Sequence, residues 1–291
     1  MRFCAMFGLG ILMASTLPAG EGGYPGTIEH WRQEREARLK ADDGWLTVAG
    51  LFWLKDGLNS AGSAEGSSIQ LPHAAAHVGD FDFSGGKTTF HADPAVAVLI
   101  NSKPAKTAAL RSDTDEGGPD MVTAGDLTMF VIHRGQRFAI RLKDKDSEYR
   151  RSFTGLHWYP VHEDYRIVAR WVPYDTPHQI AVPNILGETE NEPSPGYATF
   201  MMQGHECRLD PVLEDKLLFF IFRDLTSGKE TYGSGRFLYA ELAKEGKVVL
   251  DFNKAYNPPC AFTPFATCPL PPKQNRLAVR IEAGELKYGN H

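Results

Sequence analysis

Apolar and polar positions along this chain change period once. Across residues 27–41 (TIEHWRQEREARLKA), Trp31, Arg35 and Leu39 recur every four residues, and Thr27 with Glu29 gives a cap-like start. The spacing predicts one helix, stopped by Asp42-Asp43-Gly44 and packed across one end of a sheet body. Beyond it the pattern alternates. Residues 45–48 and 50–54 read as strand material around Gly50, closed by the turn signal Lys55-Asp56-Gly57. Residues 127–132 and 136–142 flank His133-Arg134-Gly135 and predict a hairpin. Residues 166–172, 179–185, 197–203 and 216–222 are four further strands. Residues 236–240 and 248–252 flank Lys244-Glu245-Gly246 as a second hairpin, and 277–281 is a late strand. About a dozen strands with no helix between them predict a mostly β chain: an antiparallel β-sandwich or barrel with one N-terminal helix.

Two polar stretches interrupt the pattern and read as long loops, Arg111 to Asp120 (RSDTDEGGPD) and Leu186 to Gly196 (LGETENEPSPG). Long loops at one end of a β-body often carry sites, and simple solvated excursions fit them equally. No domain boundary falls between them, and no repeat at solenoid or propeller period occurs.

The first twenty residues follow a different pattern. Arg2 supplies a positive start, Phe3 to Leu17 is apolar or small, and Pro18-Ala19-Gly20 offers a cleavage site. The expectation is a signal peptide over residues 1–20, then a single β-rich domain over 21–291, exported to the periplasm or beyond. No later segment is long and apolar enough for a membrane helix, so no span is expected after cleavage. Hydrophobic residues make up 42% and charged residues 23%, enough for an ordinary core. The net charge of -5, with no basic run, argues against nucleic acid as a partner. The partner expected is a small molecule.

Chemistry concentrates in Asp251 to Arg276 (DFNKAYNPPCAFTPFATCPLPPKQNR). Pro258, Pro259, Pro264, Pro269, Pro271 and Pro272 each fix φ and remove a donor, which predicts a stiff, extended loop rather than strand or helix. Such a loop presents Asp251, Asn253, Tyr256 and Asn257 at fixed positions, or serves only as a strap sealing one end of the body. Cys260 and Cys268 lie eight apart; a disulfide suits an oxidising compartment, and two separate buried thiols are the alternative. His205, Cys207, Cys260 and Cys268 have zinc-ligand types but no recognised spacing, so no metal is expected. No cofactor is expected either: a phosphate-binding loop, a dinucleotide fingerprint, a Gly-x-Ser-x-Gly elbow, His-Glu-x-x-His and Cys-x-x-Cys are all missing. Asp224 and Arg236 bracket a glycine- and hydroxyl-rich turn, where an ion pair across a hairpin is the first reading.

Three stretches carry a resemblance: DGWLTVAGLFWLKDGLNSAGS, DLTSGKETYGSGRFLYA, and DFNKAYNPPCAFTPFATCPLPPKQNRL followed by AGELKY. On them the chain resembles domain-of-unknown-function family 1684, over nearly the whole mature chain. The resemblance implies that the proline-rich loop, not the acidic loop at 186–196, is the defining feature. It implies no catalytic residues and no substrate.

Two readings of function follow. In the first, the β-body holds a small apolar or amphipathic ligand between its sheets, lined by Phe219, Phe220, Phe222, Phe237 and Tyr239 and contacted by Asn253, Tyr256, Asn257, Arg236 and Tyr232. In the second, the protein is an envelope hydrolase whose His205, Asp251, Asn257 and Arg236 share acid–base and charge-stabilising work. That reading requires the four to converge within roughly 10 Å, about one substrate's width. A purely structural envelope protein predicts neither a cavity nor a polar cluster.

Overall fold

A computed structural model describes residues 23–289; the segment read as a signal peptide, 1–20, lies outside the described residues. The chain is mostly β with antiparallel sheets, and the one long helix among the described residues, α1 (Gly23–Lys40), is N-terminal to the strands. Among the described residues no sheet closes into a barrel, and no helix is long and apolar enough to cross a membrane. The chain divides into two compact units, one of Lys40–Phe153 and one of α1 up to Leu39 with the chain from Thr154. The first boundary falls just before the Asp42-Asp43-Gly44 helix stop.

The first unit contains β1 (Val48–Trp53), β2 (Gly57–Gly62), β3 (Ile69–Gln70), β4 (Gly79–Ser84), β5 (Lys87–Ala92), β6 (Leu99–Ile100), β7 (Lys103–Pro104), β8 (Thr107–Leu110), β9 (Val122–Ala124), β10 (Leu127–Arg134) and β11 (Arg137–Asp144). They form sheets of order β1-β11-β10-β9-β6-β7 and β3-β2-β4-β5-β8. Inward residues of both sheets, among them Phe81, Phe90, Met129, Val131 and Ile140, make one sandwich core. The β10–β11 hairpin is as expected, with Arg134 opposite Arg137. Trp45–Thr47, expected as strand, is a single 3-10 turn. The 111–120 segment is a loop held by its own side chains. The Asp120 carboxylate accepts from Arg111 N at 2.7 Å and Nη2 at 2.9 Å, and Asp115 accepts from Ser112 N at 2.6 Å.

The second unit contains β12 (Arg166–Pro183), β13 (Thr189–Met202), β14 (His205–Leu209), β15 (Val212–Glu214), β16 (Leu217–Phe222), β17 (Arg236–Glu241) and β18 (Lys247–Asp251), in sheets β14-β13-β12-β18 and β15-β16-β17. Ala198, Phe200 and Leu250 of the first sheet meet Leu218, Phe220, Phe222 and Leu238 of the second in one core. Three expectations change here. The acidic stretch 186–196 is mostly strand, because β12 and β13 form one long hairpin with Ile180 opposite Glu192. Its buried positions are Glu192, Ser194 and Gly196, so no apolar alternation announced it. Next, β17 and β18 are not a hairpin; β17 pairs with β16 and β18 with β12, and the Lys244–Lys247 turn carries the chain between sheets. Finally, 277–281 is not a regular strand. It ties to Arg223 and Leu225 by single bonds of 2.8 and 2.9 Å, and the Ile281 amide donates instead to the Asp224 carboxylate at 2.8 Å.

The proline-rich segment is stiff but coiled rather than extended. It makes three single 3-10 turns, Phe252–Lys254, Pro259–Ala261 and Lys273–Asn275, and Pro259 and Pro272 sit where a fixed φ starts such a turn. Phe252, Ala255, Tyr256, Phe262 and Cys268 are buried, so the segment is a packed strap.

Candidate functional site

Side chains of a strand alternate between faces, and this alternation sorts the aromatic residues of β16 and β17. Phe220, Phe222 and Leu238 fill the sandwich core, so the space between the sheets is not the ligand chamber read from the sequence. Phe219, Phe237 and Tyr239 point the other way. Tyr256 of the strap joins them, because its backbone exchanges two hydrogen bonds with Phe237, at 2.8 and 3.0 Å. The result is an aromatic layer. Phe219 stacks on Tyr239 at 4.6 Å, Tyr239 faces Tyr256 at 6.5 Å, and Phe237 meets Phe219 and Tyr256 edge-on at 4.9 and 5.9 Å. Phe219, Phe237 and Tyr256 are buried in this layer, and Leu217 at one end of β16 is 40% exposed. At that end Glu214 accepts a hydrogen bond from the Tyr239 hydroxyl, and burial raises the pKa of both.

The other end of the layer is polar. Helix α1 lays the Arg35 guanidinium over the Tyr256 ring, 4.6 Å from its centroid, and Arg35 Nη2 donates to the Asn257 carbonyl at 3.0 Å. Arg35 Nε stands 3.5 Å from Glu285 Oε2. Glu285 is wholly buried, held by its amide to the Ala255 carbonyl at 2.8 Å. The preceding Gly284 has φ +83, and a Cβ there would lie 2.5 Å from Ala255 O, so only glycine brings Glu285 in this closely. Asn257 Nδ2 donates to Leu286 O at 2.7 Å.

No hydrogen bond of good geometry reaches either Glu285 carboxylate oxygen, Asn257 Oδ1 or Arg35 Nε, and the contact between Glu285 and Arg35 is a loose ion pair at 3.5 Å. A buried polar group without a hydrogen bond costs about 1–3 kcal/mol, so adjacent orphans in one cluster call for a partner. Burial pushes the Glu285 carboxyl up to about 7, against the opposing pull of Arg35 and Asn257. Burial likewise pushes Glu192, on β13, up to about 7, with the neighbouring carboxylates Glu190 and Glu214 adding to it. The cluster therefore offers acceptors, one cationic donor and a carboxyl able to hold a proton near neutrality, beside an apolar wall.

The residues singled out from the sequence are only partly brought together. Tyr256 and Asn257 lie in the cluster. Tyr232 braces the strap through its hydroxyl to Cys260 O at 3.1 Å. Asn253 holds the backbone of His162, accepting from its N at 3.1 Å and donating to its O at 2.8 Å. Asp251 accepts from the Tyr24 hydroxyl at 2.7 Å. Arg236 is fully buried and spent on structure: it pairs with Asp224 at 3.0 Å and donates to Ile281 O at 3.0 Å and to Ala283 O. His205 is exposed at the start of edge strand β14, and Asp251 ends the opposite edge strand β18. Three inter-strand steps of about 4.8 Å separate those edges by roughly 14 Å, too far for one substrate. The four residues of the hydrolase reading do not converge.

No disulfide joins Cys207, Cys260 or Cys268, and Cys260 N donates to Cys268 Sγ at 3.2 Å. Arg35 and Glu285 are site residues that the sequence reading missed. A visible signal existed for the first, since Arg35 occupies an apolar position of the helical repeat. Glu285 stands in AGELKY with no local pattern to distinguish it. Elsewhere in this unit an open groove of about 790 Å³ runs past Tyr159, His162, Asp164, Tyr165, Met201 and Glu282. Its Glu282 carboxylate is already paired with Arg280 at 2.8 Å.

Together these features define an antiparallel β-sandwich unit whose outer aromatic face is capped by a helix and a proline-rich strap. Residues 151–286 match the family described as "Protein of unknown function (DUF1684)", and the chain belongs to that family. The matched span includes DLTSGKETYGSGRFLYA and the whole strap; DGWLTVAGLFWLKDGLNSAGS, at 43–63, lies outside it. A solution NMR structure of an uncharacterized protein from Haloarcula marismortui is 30% identical and covers 49% of this chain and 81% of its own, with a TM-score of 0.41. The FhaA FHA domain complexed with the intracellular domain of Rv3910 is 13% identical over 32% of this chain and 97% of its own, with a TM-score of 0.23. A structure from a study of phosphothreonine-dependent FHA domain interactions is 13% identical over 32% of this chain and 92% of its own, also with a TM-score of 0.23. At these TM-scores none of them carries a structural argument. No curated protein matches the chain.

Proposed function

We propose that the protein is exported and binds a small amphipathic molecule on the aromatic face of β15–β17. The ligand's apolar body lies along Phe219, Tyr239 and Tyr256, and its polar end, rich in hydrogen-bond donors, meets Glu285 and Asn257. The observation that carries this reading is the under-bonded cluster: a fully buried carboxylate held by a loose 3.5 Å ion pair to Arg35 and by no hydrogen bond of good geometry, beside an Asn257 Oδ1 that also accepts none. Buried polar groups of a binding site that lack their partner gain most when a ligand supplies it. Export is supported by the charged start and apolar run of residues 1–20. In that compartment Cys260 and Cys268 pair as a disulfide, which their spacing of eight and the 3.2 Å contact support.

The test is native mass spectrometry of protein purified from its own cells. Wild type carries a non-covalent small-molecule mass, and Tyr239→Ala carries much less of it. A wild-type protein with no bound small molecule refutes the reading. The same sample reports export, since intact mass places the mature N-terminus near residue 21.

A further inference from the structure

The two strap cysteines differ in access. Cys260 is partly exposed, whereas Cys268 is buried. They are also adjacent. Cys268 Sγ lies 3.2 Å from the Cys260 amide nitrogen, and one N–Cα bond of about 1.46 Å separates that nitrogen from Cys260 Cα. Cys268 Sγ therefore lies within about 4.7 Å of Cys260 Cα, close enough for the two side chains to be bridged. Both residues sit on a strap that prolines stiffen, so bridging them needs no large rearrangement. The hydrogen bond with Cys268 holds the Cys260 thiol below its ordinary pKa against the opposing effect of burial, with Tyr232 adding to the lowering. Cys207 is the contrast, buried with its pKa raised by that burial.

We propose that Cys260 and Cys268 form a reversible thiol–disulfide exchange pair, with Cys260 attacking and Cys268 resolving. The inference rests on the proposed pairing of the two thiols and not on the ligand. The Cys260 thiolate attacks one sulfur of a small disulfide RSSR. The Cys260–SR bond forms, the S–S bond breaks, and RS⁻ leaves and takes a proton. The Cys268 thiolate then attacks the Cys260 sulfur, forms the internal disulfide and expels the second RS⁻. Two protein thiols are oxidised and one disulfide is reduced to two thiols. The strap that carries Tyr256 and Asn257 is closed by the same bond, so exchange sets how firmly the aromatic face is capped.

The experiment incubates the reduced, folded exported form, which begins near residue 21 and so lacks Cys4, with oxidised glutathione, quenches with acid and reads intact mass. Wild type is expected to lose two hydrogens and keep no adduct. Cys268→Ser is expected to accumulate one glutathione on Cys260. Cys260→Ser is expected to react at Cys268 at least about tenfold more slowly, following its lower access. If wild type forms no internal disulfide in excess oxidant, the pairing fails. If it forms but the two variants react at equal rates, the assigned roles fail. A disulfide that reducing agent opens only after denaturation overturns reversibility. Should a variant not fold, limited alkylation of reduced wild type replaces it: Cys260 is labelled before Cys268, and equal labelling overturns the proposal.

Discussion

Replacing Glu285 by glutamine isolates the largest electrostatic cost in the site. In the folded chain burial moves this carboxyl from 4.5 to about 7, while in the unfolded chain it titrates at its ordinary value. Between those values the folded state holds a proton that the unfolded state has lost. Stability from this group is therefore complete below pH 4.5, falls as pH rises and is gone above about 7. At about 1.4 kcal/mol per pH unit, the loss is roughly 3 kcal/mol. Glutamine keeps the shape of the neutral acid and cannot ionise, so Glu285→Gln escapes this loss. The assay is urea denaturation of ligand-free wild type and variant at pH 4.5, 6, 7 and 8, read as the difference between them. Glu192, also raised by burial to about 7, titrates in both proteins and cancels. The difference should be near zero at pH 4.5 and reach about 3 kcal/mol in favour of the variant at pH 8. A difference that does not change with pH, or that grows in favour of wild type, refutes the reasoning.

Removing Asp224 leaves the Arg236 charge buried without its counter-ion, so Asp224→Ala should cost about 3–5 kcal/mol in urea denaturation at pH 7. Asn275 bridges Asp210 N and O at 2.8 Å each and Ile221 O at 3.0 Å; Asn275→Ala orphans those groups and should cost about 3 kcal/mol, seen as a lowered Tm. Gly235 has φ +102, and a Cβ there meets Phe222 O at 2.5 Å and Pro271 Cγ at 2.6 Å, so Gly235→Ala should lower the urea midpoint by at least about 1 kcal/mol equivalent. Tyr239→Phe removes the hydroxyl that donates to Glu214 but keeps the ring, so it should cost about 1 kcal/mol of stability while retaining most of the bound small molecule in native mass spectrometry.

Local signals carried much of the β architecture. The β10–β11 hairpin was legible because apolar alternation and a glycine turn agree with each other. The strap was legible because proline restricts its own backbone wherever it stands. The β13 arm was not legible, since Glu192 and Ser194 occupy inward positions that are apolar in most strands. The partnering of β18 was hidden for a different reason: which strand an edge joins depends on residues about eighty positions away, such as Arg166 opposite Asp251.

For the site, the chain's own pattern determined that Tyr256 and Asn257 would be presented on a rigid segment. It also placed Arg35 on the inward stripe of the helix. Only the folded arrangement decided that these meet Glu285 and that Arg236, a site candidate by sequence, is consumed by Asp224. It also decided that His205 and Asp251 stand on opposite edges of one sheet. The physical reason is that backbone conformation follows from neighbouring residues, whereas burial, and with it the protonation and free valence of a polar atom, is set by whatever remote segment comes to cover it.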